Sequence, residues 1–206
     1  MRKPKLRELK EALRAVVSRA YTTKFPAEPH VAPKGFRGKP EFDADGCVGC
    51  AACAEVCPAL AIRYVDDTAA DPPTRRFELR YDKCVFCGQC ELNCTTKEGI
   101  RLTGDWDLAT LDRSSCVERI EHELVICEVC GAVIGTARHL RWVAEQLGAK
   151  AYANPTLIVS ADRESMKLSP REAGRPGEPT FARSDMMRVL CPACRRTTVL
   201  RELWGQ

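Results

Sequence analysis

A chain of 206 residues with hydrophobic and charged fractions of 45% and 29% has the composition of a soluble globular protein and room for one or two modest cores. No run approaches the roughly 18 consecutive apolar residues of a membrane span, and no apolar block with a small-residue cleavage site follows the basic N-terminus; neither a transmembrane segment nor a secretory signal is expected, and the chain reads as cytoplasmic. The net charge of +4 conceals an asymmetry: residues 1–40 carry eleven Lys and Arg against three Glu, a net of +8, whereas residues 41–206 come to −4.

Pro4 precedes a stretch, Lys5 to Ala20, in which Leu6, Leu9, Leu13, Val16, Val17 and Ala20 recur at three- and four-residue steps, with Lys5, Arg7, Lys10, Arg14 and Arg19 on the flanks. This predicts a basic amphipathic helix, able to lie on an anionic membrane surface, in a partner's groove, or against the protein's own body. Pro26, Pro29, Pro33 and Pro40, with Gly35 and Gly38, then forbid a helix and favour an extended strap. Residues 1–40 are therefore expected to be a helix and docking arm.

Between Cys47 and Cys94 one pattern occurs twice: Cys47, Cys50, Cys53 and Cys57 followed by Pro58, then Cys84, Cys87, Cys90 and Cys94 followed by Thr95. Three cysteines at two-residue gaps and a fourth after three more form the bacterial ferredoxin run for a 4Fe–4S cluster. A disulfide scaffold fits poorly, because the count of thirteen cysteines is odd and twelve of them stand at metal-ligand spacings. In two-cluster ferredoxins the fourth cysteine of each run serves the other cluster, which assigns Cys47, Cys50, Cys53 and Cys94 to one cube and Cys84, Cys87, Cys90 and Cys57 to the other. Gly49, Ala51, Ala52 and Gly88 are small enough for the backbone to approach the anionic sulfurs. Val48, Ile62, Val85, Phe86 and Ile100 are expected to shield the cubes.

The cluster domain is placed at residues 41–105, with strands over 61–65, 77–81 and 99–103, a turn over 66–76, and a helical turn after each cysteine triplet. No spare ligand or acid–base group stands nearby, so the clusters read as coordinatively saturated carriers of single electrons, within a possible range of roughly −700 to +450 mV. Thr95, in place of a second proline, restores an N–H and adds a hydroxyl, and is expected to shift the potential of the cluster it neighbours.

Residues 106–206 are expected to hold a connector with a helix through 116–123, a helix from Thr136 to Leu147 stopped by Gly148, a short strand or extended piece over 154–159, and an exposed loop over 169–179. Two further pairs, Cys127 with Cys130 and Cys191 with Cys194, suit one tetrahedral ion; zinc is the first choice and rubredoxin-like iron the alternative. Cys116 reads as a small buried residue, His30, His122 and His139 as isolated from any ligand set, and the three tryptophans as packing or interface residues. With aromatic residues at only 6% and no concentrated basic stripe on the metal lobe, nucleic-acid binding is not expected.

The two cysteine runs, preceded by residues 23–29 (Thr-Lys-Phe-Pro-Ala-Glu-Pro) and 36–40 (Phe-Arg-Gly-Lys-Pro), resemble the ferredoxin-like subunits of complex I and of membrane-bound nickel–iron hydrogenases. The C-terminal cysteine pairs resemble the tail of the hydrogenase version found in formate hydrogenlyase. The resemblance implies an α+β fold: a bacterial two-cluster ferredoxin-like domain with an N-terminal amphipathic helix and extended arm, plus a small C-terminal tetrathiolate lobe of zinc-ribbon or rubredoxin-like type. It also implies an electron-relay subunit without an active site of its own, peripheral on the inner face of the membrane. Its partners would be hydrogenase-type small and large subunits, membrane-arm subunits and an electron-donating iron–sulfur protein. The equivalent subunit of a complex I-like oxidoreductase and a free soluble ferredoxin are the alternatives.

Overall fold

A computed structural model describes residues 5–19, 22–166 and 187–204. The chain divides into two units, Met1–Phe36 and Arg37–Gln206.

In the first unit, helix α1 spans Leu6–Val17. The Glu8 carboxylate accepts the Lys5 backbone N–H at 3.0 Å, satisfying an amide that the helix itself leaves without a partner. No described residue of α1 is buried, and Leu6, Leu9, Leu13, Val16 and Val17 are all exposed. Pro4 and Ala20 of the expected helix lie outside the described residues. The arm over 22–36 contains no helix or strand, as its prolines require.

The second unit is built from two antiparallel sheets. Strand β1 (Pro40–Phe42) pairs with β4 (Ile100–Leu102), Phe42 opposite Ile100. Strand β2 (Ile62–Asp67) pairs with β3 (Thr74–Arg80), Ile62 opposite Leu79, and β3 pairs in turn with β5 (Val117–Ile126), which pairs with β6 (Val133–Thr136). Each cysteine run thus has a strand before it and a strand after it, and the pairing is crosswise. The strand leading into the first run meets the strand leaving the second, and the reverse. One-turn helices α2 (Ala52–Glu55) and α3 (Gln89–Leu92) close the two cysteine triplets.

Phe77, Leu79, Ile100, Ile62 and Ala61 form the centre of the core, each at most 3% exposed. Burial of side chains such as Phe77 and Leu79 contributes about 1.5–3 kcal/mol apiece.

Two expected elements differ. The connector helix through 116–123 is instead strand β5, preceded by a short 3-10 turn, Arg113–Cys116. Period two governs here: Ile120, His122 and Leu124 turn inward while Arg119, Glu121 and Glu123 face water. The segment 154–159 is helical, the start of α5 (Pro155–Met166). Asn154 Oδ1 accepts the Thr156 N–H at 3.0 Å and Pro155 occupies the first helical position, so the cap and the proline decide the conformation that apolar composition leaves open.

Helix α4 (Ala137–Leu147) begins at Thr136, whose hydroxyl accepts the His139 N–H, and ends at Gly148. Helix α6 (Pro192–Trp204) follows the last cysteine pair. The loop expected over 169–179 lies outside the described residues.

Candidate metal centres

All thirteen cysteines are free thiols. Eight of them gather around two cavities. One is lined by Cys47, Cys50, Cys53 and Cys94, with Val48, Ile100 and Phe77. The other is lined by Cys57, Cys84, Cys87 and Cys90, with Pro58, Ile62, Leu79, Val85 and Phe86. The sheets explain this partition. Phe42 opposite Ile100 brings Cys47, just past β1, to Cys94, just ahead of β4. Ile62 opposite Leu79 brings Cys57 to Cys84 in the same way.

The loops share a backbone as well as a spacing. Gly49 and Phe86, at the same position of the two runs, have φ of 69° and 51°, and Ala51 and Gly88 have 67° and 79°. Left-handed backbone is free for glycine and costs a residue with a side chain about 1–2 kcal/mol. Ala51 and Phe86 bear that cost in loops where amides turn inward: the Phe86 N–H points to Cys84 Sγ at 3.4 Å, and the Ala61 N–H to Cys57 Sγ at 3.3 Å.

Burial pushes the Cys53 thiol up to about 12 and Cys90 to about 11, and raises Cys47 and Cys84 as well. For Cys94 burial acts upward too, but the Thr96 hydroxyl and the amides of Gly99, Thr96 and Ile100 outweigh it, and the net direction is down. Dry thiols of this kind ionise on binding an iron centre, whose positive charge replaces the lost hydration. Four thiolate donors around each cavity, with amides aimed at sulfur, are the donor set a 4Fe–4S cube requires.

Several residues that sequence reasoning left aside converge on the first loop. Thr136, fully buried, donates its hydroxyl to Val48 O. Arg138 donates to the carbonyls of Ala44 and Asp45. Arg75 donates to Gly49 O at 3.1 Å while its guanidinium is held by Asp66 at 2.6 and 2.8 Å. His122, expected to be isolated, packs edge-on against Phe77, and a Cβ added at Gly49 would stand 2.9 Å from its ring. Burial, then Arg138 and Arg75, lowers its pKa. The only advance sign of these contacts was the alternation of residues 117–126.

On the second loop, Arg37 donates to Cys87 O at 3.2 Å. Val85, expected as a shield, is exposed, because nothing equivalent to Thr136 covers it among the described residues; Val48, Ile62 and Ile100 are buried as expected.

The third site is compact. Cys127, Cys130, Cys191 and Cys194 place their sulfurs within 4.8 Å of one another, and Cys130 and Cys191 are 3.7 Å apart. A tetrahedron of thiolates at about 2.3 Å from one zinc has edges of about 3.8 Å, whereas a disulfide would bring two sulfurs to about 2.05 Å. The first pair sits on a tight turn: Gly131 (φ 71°) donates to Cys127 O, and Cys127 donates to Ala132 O. The second pair begins α6, where the Cys194 N–H points to Cys191 Sγ.

Burial raises Cys127, but the amides of Cys191, Cys130 and Val129 more than offset it and bring the thiol down to about 7; burial and its three neighbouring thiols push Cys194 up. Glu128, 2% exposed, clasps the two halves of the site together. Its carboxylate accepts the Val189 N–H at 3.0 Å and faces Arg188 at 3.5 Å, and its carbonyl accepts from Arg188. The sequence offered no sign of that role beyond an acid between two cysteines. Cys116 is half-buried and belongs to none of the three groups.

The two crosswise cavities define a class, and the comparisons agree: the 4Fe–4S dicluster domain family matches residues 46–98, the span that holds all eight cysteines. The chain is an iron–sulfur protein. It is 37% identical over 109 residues to formate hydrogenlyase subunit 6 of Escherichia coli, a match covering 53% of this chain and 59% of that protein. It is 39% identical over 70 residues to NADH-quinone oxidoreductase subunit I of Pelobacter propionicus, covering 30% of this chain and 37% of that one. The chain therefore spans less than two thirds of either relative. Among solved structures, a chain of the membrane-bound sulfane sulfur reductase, an archaeal respiratory membrane complex, aligns at 26% identity over 56% of this chain and 61% of that one, with a TM-score of 0.40.

Proposed function

We propose that this protein is an electron-relay subunit of a membrane-associated oxidoreductase complex of the hydrogenase type, formate hydrogenlyase or energy-converting. The observation that carries this reading is the partition of eight cysteines into two quartets, each around its own cavity. Cys47, Cys50, Cys53 and Cys94 would hold one 4Fe–4S cluster, and Cys84, Cys87, Cys90 and Cys57 the other. Each cluster supplies reversible one-electron chemistry when bound. The chain's own contribution is to fix the two quartets as neighbours, exclude water with Phe77, Ile62 and Ile100, and aim amides at the sulfurs.

Cys127, Cys130, Cys191 and Cys194 would hold one ion, zinc in the first reading and rubredoxin-like iron in the second, as a staple between β5 and α6. The division into an arm (1–40), a two-cluster domain (41–105) and a metal lobe (106–206) is proposed as a functional one. Helix α1, with every described apolar residue exposed, would anchor the subunit to the membrane-arm subunits from the cytoplasmic side. No described helix is long and apolar enough to cross a membrane. The likeness to NADH-quinone oxidoreductase subunit I favours a complex I-like assembly as the second reading.

Purification of the tagged protein from native membranes tests the proposal. Hydrogenase-type small and large subunits are expected to co-purify; recovery alone in the soluble fraction would point to a free ferredoxin. Deleting residues 1–20 is expected to release the protein from its complex while leaving both cluster EPR signals.

A further inference from the structure

The two cysteine runs end differently, in Pro58 and in Thr95, and the difference reaches a ligand. Thr95 Oγ1 lies 3.0 Å from Cys50 Sγ, the second cysteine of the other run. Thr95 is half-buried and makes no other side-chain hydrogen bond among the described residues. Once Cys50 is a thiolate it has no proton, so the hydroxyl is the donor.

The adjacent Thr96 offers no substitute. Its hydroxyl lies 2.9 Å from Gly46 O, its oxygen accepts the Gly99 N–H at 3.1 Å, and the sulfur it stands beside is Cys94 Sγ at 3.5 Å, not Cys50. At the equivalent position in the first run, Pro58 lines the second cavity with neither an N–H nor a hydroxyl to offer.

We propose that Thr95 donates a hydrogen bond to Cys50 Sγ and thereby raises the reduction potential of the cluster held by Cys47, Cys50, Cys53 and Cys94. Thr95 is a positioning residue for electron flow, touching a ligand and not the iron. The inference rests on the two-cluster reading above. Its physical basis is charge: the reduced form carries one more negative charge, which is shared by the ligand sulfurs, so a donor aimed at one of them stabilises the reduced form more than the oxidised.

Cationic neighbours do not supply the same asymmetry. Arg75 at the first loop is neutralised by Asp66, whereas Arg37 at the second loop has no carboxylate partner among the described residues and acts on the other cluster. The effect of Thr95 is therefore the change in one midpoint when its hydroxyl is removed, and not the absolute gap between the two.

Full-length, cluster-loaded protein is compared with Thr95→Val, Thr95→Ala and Thr95→Ser in EPR-monitored redox titrations. Val and Ala are expected to lower one midpoint and leave the other in place. A tenfold change in the oxidised-to-reduced ratio at fixed potential corresponds to about 59 mV for one electron. Ser, which keeps the hydroxyl, is expected to stay near the parent value. Unchanged midpoints in Val and Ala, equal movement of both midpoints, or a Ser variant that behaves like Val would overturn the proposal. So would loss of cluster loading in both Val and Ala with Ser still loaded, since that outcome assigns Thr95 a structural role. Iron and labile sulfide are quantified first: a parent protein well below about eight of each per chain sinks the two-cluster reading itself, separately from the role of Thr95.

Discussion

Val48 and Val85 each follow the first cysteine of their run, yet Val48 is 8% exposed and Val85 62%. The residue, the motif position and the local spacing are the same. What differs is the cover: Thr136 holds Val48 O, and His122 and Thr136 pack over Gly49, while among the described residues the second loop receives Arg37 on its carbonyl side. His122, Thr136 and Arg138 are laid over the first cysteine loop, and no described residue of the C-terminal half matches them on the second.

That asymmetry predicts unequal resistance to oxidants. Exposure of the cluster-loaded protein to ferricyanide or air is expected to remove iron in two phases, about half of it in the faster phase. The cluster of Cys84, Cys87, Cys90 and Cys57 should go first, because solvent reaches its rim past Val85. Iron analysis with EPR follows the loss; a single phase with both signals decaying together would contradict the prediction.

Gly49→Ala is expected to destabilise the protein more than Gly88→Ala. Both sites have positive φ, which costs alanine about 1–2 kcal/mol in either place. At Gly49 the new Cβ would also stand 2.8 Å from Thr136 Cγ2 and 2.9 Å from the His122 ring, whereas at Gly88 the nearest atom, Leu102 Cδ1, is 3.1 Å away. Overpacking adds about 1–3 kcal/mol at the tighter site. Thermal melts of the two loaded variants compare them directly, and equal losses would mean that the His122–Thr136 cover yields without cost.

The metal lobe should depend on Glu128 almost as much as on its cysteines. Glu128→Ala removes the acceptor of the buried Val189 N–H and the carboxylate that faces Arg188, and leaving a buried donor unsatisfied costs about 1–3 kcal/mol. The expected outcome is faster loss of the ion to a chelator, with cluster EPR unchanged. Glu128→Gln keeps an acceptor for Val189 and should fall between Ala and the parent.

Acid should weaken the second unit through His122. Its pKa is lowered in the folded state by burial and by Arg138 and Arg75. A depressed folded pKa means that its contribution is complete above about 6.5, the ordinary value for histidine, and is lost as pH falls through the folded value. His139, also lowered by burial and Arg75, acts in the same direction. Melting temperature is therefore expected to fall from pH 7.5 towards pH 5.5, and more shallowly in His122→Phe. A parallel decline in both proteins would remove His122 from the account.

Much of the chemistry was legible because it is local. Cysteine spacing names a cluster run, and Leu6, Leu9 and Leu13 name an amphipathic helix, since ligand loops and helix faces are set by residues a few positions apart. Other features were not. Residues 116–123 have the composition of a helix or a strand, and only the partner edge of β3 decides between them. Segment 154–159 turned on one capping side chain, Asn154.

Cysteine spacing alone picks out the eight cysteines of two cluster runs and sets four more apart as a third group. The crossing expected from the ferredoxin pattern is made physical by long-range pairing: β1 finds β4 and β2 finds β3, which delivers Cys94 to Cys47 and Cys57 to Cys84. Tertiary structure decided which loop is covered. The cover on the first loop comes from β5, β6 and α4, whose residues lie far along the chain from the cysteine motif.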